Sequence, residues 1–590
     1  MSETHGLLAL NCNTPTAEAH SLIDKALKRR GAPILALKSQ RNAFAPISRL
    51  PPEILCKIFS NVKEKEPSSP EESFKLTHVC RHWRNVGIES SSLWTELMWQ
   101  NPEVTELMFR RCKGAPLVMK TPEFPYDELS VRPRFFEALK KYFDHVHRVK
   151  ELTLYLAVPQ WAELRNLFPK SAAHLEHLRI SLQARGSVDF VSGNLLCETP
   201  QLRHLELSCF NVDWTTHSHL LRSLTYLSLE NIAFTGLTWR SFANAMKEMP
   251  DLQILSLIGA FPKTTNELVD WTPIHLASLQ NLIVACHQTT IEMFLSCITF
   301  PATTKTRVKC YITDHQHEPN FSGMYTKLGQ IYSKALPQKD YKTLVLMEQG
   351  YLTNGFTVKL FVDAFVEEQL LVLKPKTMSS DLEFEISWSI LAAGADEIGI
   401  KALNGLFNSG LPLHNIGRVF ITTPIPWVLK PETFASTIGT LTQPLSILTT
   451  GAAARFVVNA LLLSIGDTSQ GKPTYFPNLT SIFLHKAKFA TPKMMKTDEI
   501  VQFANLHRCL AERAKRGAKL ERLVFMYCTR VMKSDVDALA GFVGKLDCDS
   551  QDLHLGIDLD GGPIQPRRVL RRRVPKPEKK TSKRKKKTAT

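Results

Sequence analysis

Residues 202–208 read LRHLELS, which places Leu202, Leu205 and Leu207 in the spacing L-x-x-L-x-L. In an extended chain successive side chains alternate between faces, so Leu205 and Leu207 point to one side and Glu206 to the other. The same template recurs in both directions. Before it stand Val149/Leu152/Leu154 and Leu175/Leu178/Ile180. After it come Leu224/Leu227/Leu229, Leu252/Leu255/Leu257 and Leu279/Leu282/Val284. The first positions are 26, 27, 22, 28 and 27 residues apart. The segments between them suit helices, as in Trp239–Met249, where Phe242, Ala245 and Met246 share a face. One strand and one helix bury too little apolar surface to stand alone, so the spacing predicts stacked units: an α/β solenoid.

This template resembles the leucine-rich repeat, whose period is roughly 20–29 residues. The pattern is regular over residues 100–300 and blurs over 301–562, where strands are expected at Leu344/Leu346, Val419/Ile421, Leu479/Ile482/Leu484 and Leu520/Leu523/Phe525. That half reads as an irregular continuation of the solenoid. The default ligand surface of such an array is its exposed strand face. Arg179, Glu206, Ser228 and Ser256, alternating with the leucines, are the candidate substrate-binding residues.

Upstream, residues 46–59 read PISRLPPEILCKIF. Pro51 and Pro52 stand where a helix start tolerates proline. Leu50, Ile54, Leu55, Ile58 and Phe59 follow at helical spacing. After a polar stretch from Lys63 to Ser73, Leu76, Val79, Cys80 and Trp83 fall at i, i+3, i+4 and i+7, which predicts one stripe of a second helix. Leu93-Trp94 ends the unit, and Glu103–Lys113 reads as a linking helix before a short strand at Leu117–Met119. Two short helices cannot bury both apolar faces unaided, so part of this surface is expected to meet a partner.

The order LPPEIL, IF, VCRHWR and LW across residues 46–99 resembles the F-box motif. The resemblance implies a three-helix unit that binds a Skp-family adaptor, which in turn binds a cullin. By position, Leu50, Pro51, Ile54, Leu55, Ile58, Val79, Cys80, Arg81, Trp83 and Arg84 are the motif residues, with Leu50 and Pro51 foremost as adaptor contacts. The chain departs from the family pattern in the middle, where KEKEPSSPEESFKL replaces a shorter connection. With the repeats, the resemblance implies a substrate adaptor of a ubiquitin ligase. Such a protein performs no bond chemistry itself and brings an unknown protein substrate to the charged enzyme.

Composition is that of a globular protein, 44% hydrophobic and 22% charged. The net charge of +17 is concentrated at one end. Arg567–Lys587 holds thirteen Lys and Arg against Glu578 alone, leaving about +5 on residues 1–566. A nearly balanced body argues against a broad nucleic-acid footprint. The segment 563–590 reads as a disordered basic tail, and Lys583, Arg584, Lys585, Lys586 and Lys587 have the composition of a nuclear-import address. Contact with nucleic acid through the tail is the less favoured reading of the same composition. A nuclear repeat scaffold or nucleic-acid-associated protein with a degenerate F-box is therefore the alternative function. The expected location is nuclear, cytoplasmic or both.

Other chemistry is weakly signalled. Residues 1–45 are polar with one helical stretch near Ala17–Arg30. Leu7–Leu10 is too short for a signal peptide, and the longest apolar run, Phe456–Ile465, is half a membrane span, so no membrane partner is expected. Gly466–Lys472 mimics a phosphate-binding loop, but Pro473 stands where a hydroxyl should be, and a connecting loop is the better reading. His315 and His317 sit in a polar stretch and read as solvated. The twelve cysteines form no C-x-x-C pair, and neither a metal nor a cofactor is expected.

Overall fold

A computed structural model describes residues 42, 45–65, 72–99, 101–121, 123, 133–169, 171–183, 188–189, 199–212, 221–234, 237–263, 272–312, 320–333, 340–348, 354–365, 378–388, 395–422, 430–463, 473–489 and 500–549. Helix α1 (Pro52–Lys65) starts at the paired prolines, where a missing N–H costs no helical bond. The Leu55 amide donates to the Pro51 carbonyl at 3.1 Å, closing the first turn. Leu55 and Phe59, four residues apart, point inward and are fully buried.

The single second helix expected from the 76–83 stripe is two helices, α2 (Glu72–Thr77) and α3 (Arg81–Glu89). Cys80 causes the break. Its backbone is extended (φ −156°, ψ 172°), and its sulfur accepts the Trp83 amide at 3.4 Å, which makes it the N-cap of α3. A helix cannot run through an extended residue, so Val79 lies in the turn. The three helices pack around Phe59, Leu76 and Val86, closed by a 3-10 turn at Ser91–Trp94 that buries Leu93 and Trp94. Ser73 ties α2 to this turn by donating to the Leu93 carbonyl at 2.9 Å. Helix α4 (Pro102–Arg111) follows, capped by Asn101, whose side chain accepts from the Glu103 and Val104 amides.

The chain forms two compact units. The first holds the helices just described, Met1–Asp340 in all, together with Gln349–Val362 and Ser379–Pro412. Its large element is a parallel sheet whose strands follow chain order. They are β1 (Leu117–Lys120), β2 (Val149–Ala157), β3 (His177–Gln183), β4 (His204–Ser208), β5 (Tyr226–Glu230), β6 (Ile254–Ile258), β7 (Asn281–Cys286) and β8 (Lys305–Ile312). The register aligns Leu152, Leu178, Leu205, Leu227, Leu255 and Leu282 in one row. Leu154, Ile180, Leu207, Leu229, Leu257 and Val284 form the second row, and every side chain of both is buried. The spacing in the sequence is thus a pair of stacked rows in space. Helices between strands supply the other wall: Phe242 of Trp239–Lys247 meets Phe294 of Gln288–Cys297 with ring centres 6.3 Å apart.

The rows change chemistry at β8, where Thr306 stands opposite Leu282. Thr306 is buried and accepts the Tyr332 hydroxyl at 2.7 Å, so a hydrogen bond from the helix Ser322–Ser333 replaces a leucine. Here the pattern in the sequence blurs. Beyond β8 the strand Leu382–Trp388 pairs parallel to it. The earlier segment Asn354–Phe361 then pairs antiparallel on the far side of Leu382–Trp388, which breaks chain order.

The second unit comprises Tyr341–Glu348, Asp363–Met378 and Leu413–Thr590. Its parallel strands again follow chain order: Thr343–Glu348, Arg418–Ile421, Leu445–Thr450, Leu479–His485, Leu520–Met526 and Val543–Asp549. Leu344, Val419, Ile447, Ile482 and Leu523 align across it and are buried. The first unit continues past residue 300 to Asp340 and takes in two later segments. Among the described residues, no helix is long and apolar enough to cross a membrane.

Candidate partner-binding surface

Among the described residues, the three-helix unit carries several exposed apolar side chains. On α1, Ile54, Ile58 and Val62 are spaced i, i+4, i+8 on one side, while Leu55 and Phe59 take the other. Ile54 is 47% exposed, Val62 is exposed and Ile58 is half-buried. Val79, in the turn before α3, is 58% exposed, and Ile47, in the 3-10 turn Pro46–Arg49, is 38% exposed. Leu50 is half-buried and Pro51 exposed. Nine large hydrophobic residues stand out as exposed among the described residues, and four of them fall between positions 47 and 79. That concentration within one short segment makes the unit the candidate contact region. Arg81 and Arg84 are also exposed and add positive charge to α3.

The structure sorts the motif residues. Leu55 was expected as a partner contact, but it is fully buried in the core because its side of α1 faces α2 and α3. Cys80 is half-buried and spends its sulfur on the helix cap. Trp83 is half-buried against Phe59, ring centres 5.0 Å apart, and is chiefly core. Ile47 and Val62 were not singled out in the sequence. The i+4 continuation from Ile54 through Ile58 is the signal that reaches Val62.

The candidate strand residues divide as well. Arg179, Glu206 and Ser228 align across β3, β4 and β5 and are partly exposed. Ser256, next in that row, is only 5% exposed, so it is not an outward contact. Its small side chain lies between Ile254 and Ile258 along β6 and beside Ile283 of β7, which shield it. Arg179 and Glu206 are engaged with each other at 3.1 Å. Glu206 also meets His204 at 2.6 Å, and His204 stacks on Tyr226 with ring centres 3.8 Å apart. Burial raises the Glu206 carboxyl, but the His204 hydrogen bond and the Arg179 charge outweigh it and hold the group below the usual carboxylate range. The result is a fixed polar cluster. It offers a partner shape and hydrogen bonds more than free charge.

Among the described residues, no group of three or more His, Cys, Asp or Glu could hold a metal. Burial pushes the thiols of Cys310, Cys509 and Cys528 up to about 12, so none is a thiolate at neutral pH. Ala17–Arg30, His315, His317, Gly466–Lys472 and the basic residues Lys583–Lys587 lie outside the described residues.

With that geometry in view, residues 47–98 match the family model described as F-box-like. Domains of this family typically bind Skp-type adaptors. The matched span covers all three helices and the closing turn. A search of curated proteins finds no match to the chain.

Proposed function

We propose that this chain is the substrate-recognition subunit of an SCF-type (Skp–cullin–F-box) ubiquitin ligase. The F-box-like unit holds the Skp-family adaptor, and through it the cullin. The observation that carries this reading is the set of exposed apolar side chains Ile47, Ile54, Val62 and Val79 around a closed core, within the matched span. The in-register leucine rows support reading the strands of the first unit as leucine-rich repeats, with the polar strand face around Arg179, Glu206 and Ser228 as the substrate surface. The protein needs no catalytic residue of its own, because tethering raises the effective concentration of substrate at the ubiquitin-charged enzyme.

The test is co-purification of the adaptor and cullin with the wild-type chain and with Leu50→Ala/Pro51→Ala. Capture by the wild type, lost in a folded double variant, supports the reading; no capture by the wild type rejects it.

The basic tail favours a second reading, a nuclear scaffold or nucleic-acid-associated protein with a degenerate F-box. Under that reading the tail peptide alone binds nucleic acid, and affinity falls steeply with salt. The tail serves nuclear import in the first reading, and fusion of residues 563–590 to an inert carrier tests that role directly.

A further inference from the structure

An open cavity of about 430 Å³ lies where the chain leaves β5, β6 and β7. A volume of this order suits a small organic molecule. The walls are mainly apolar: Ile232, Trp239, Phe261, Pro262 and Met293.

The rim is held in place before any ligand arrives. Asn231 and Gly259 both take left-handed backbone conformations, φ 51° and 58°. Their amides donate to the carbonyls of Ile258 and Ala285 at 2.7 and 2.8 Å, extending the strand ladder past the sheet. A Cβ at position 259 would stand 3.2 Å from the Asn231 side-chain oxygen, so glycine keeps this corner open.

Among the described residues, Lys263 is the only charged group lining the cavity, and no carboxylate lines it. Thr290 lines it from the first turn of the helix Gln288–Cys297, the positive end of the helix dipole. Cys286 also lines it; burial raises its thiol, which therefore contributes no anion.

We propose that this cavity binds a small amphipathic monocarboxylate, its apolar body against Trp239, Phe261 and Met293 and its carboxylate at Lys263. The ligand site is separate from the adaptor surface, so either conclusion can fail without the other.

The experiment is calorimetric titration of the full chain with octanoate, octanamide and octylammonium. Octanoate is expected to bind saturably at one site, octanamide about tenfold more weakly, and octylammonium not at all. Lys263→Met should bring octanoate to the level of octanamide, and Ala233→Phe should fill the cavity and abolish binding. Lys263 is exposed, so its variant stays folded and remains decisive if Ala233→Phe does not fold. The proposal is overturned if the wild type shows no saturable octanoate binding, if octanamide binds equally well, or if Lys263→Met leaves octanoate affinity unchanged.

Discussion

Trp94 donates its indole N–H to the Gly87 carbonyl at 2.8 Å, joining the closing turn of the F-box-like unit to helix α3. Gly87 must be small for this to happen. A Cβ there would lie 3.1 Å from the Thr77 methyl and against Leu93 and Phe59. Trp94→Phe should lower stability by about 1–3 kcal/mol, the usual loss when a buried carbonyl is left without a donor. Gly87→Val should cost more, because three elements converge on that point. Chemical denaturation of both variants checks the order.

The N-cap role of Cys80 predicts an unusual preference. Cys80→Ser places a better capping acceptor at the same point and should leave stability equal or raise it by up to about 1 kcal/mol, whereas Cys80→Ala should lower it by about 0.5–2 kcal/mol. Thermal midpoints of the two variants decide it. If Cys80 instead served as a partner contact, both would weaken adaptor binding alike with no change in stability.

The Thr306–Tyr332 hydrogen bond replaces a leucine in the buried row. Tyr332→Phe alone removes the donor to buried Thr306 and should cost about 1–3 kcal/mol, whereas Thr306→Val leaves the Tyr332 hydroxyl its contact with the Thr304 carbonyl at 3.4 Å and should cost less; together they should cost less than the sum of the two. A double-mutant cycle by urea unfolding measures that coupling.

Burial, aided by the nearby His204, lowers the pKa of His177 in the folded chain. The unfolded chain therefore takes up a proton first as the pH falls below about 6.5, and stability drops from there down to the folded-state pKa. His145 and His485 shift the same way, each chiefly by burial. Wild-type unfolding midpoints should decline between pH 7.5 and 5.5, and His177→Asn should decline less steeply.

The repeat was legible because it rests on local alternation: a leucine two residues from another on a strand shares its face whatever lies elsewhere. The same logic fails at Thr306, whose burial depends on Tyr332 some 26 residues away. It also fails for Asn354–Phe361, whose antiparallel place is set by strand pairing and leaves no trace in the spacing. In the F-box-like unit the stripe on α1 was visible, but not which side faces in. Ile54 and Leu55 are neighbours of similar chemistry, and only the packing of α2 and α3 selects Leu55 for the core. The turn at Val79 was hidden for a related reason: helical spacing persists across it, and the cap that breaks the helix uses a cysteine, an uncommon N-cap.

The central claim is that the exposed apolar side chains of the three-helix unit form an adaptor site, and the most direct measurement is the affinity of a Skp-family adaptor for the wild type and for Ile54→Asp/Val79→Asp. Both residues are exposed, so the unfolding midpoint should move by no more than about 0.5 kcal/mol per substitution. The account predicts a loss of at least about 2 kcal/mol in binding, roughly thirtyfold in Kd. A variant that binds as the wild type does, or a wild type that does not bind the adaptor, would contradict it.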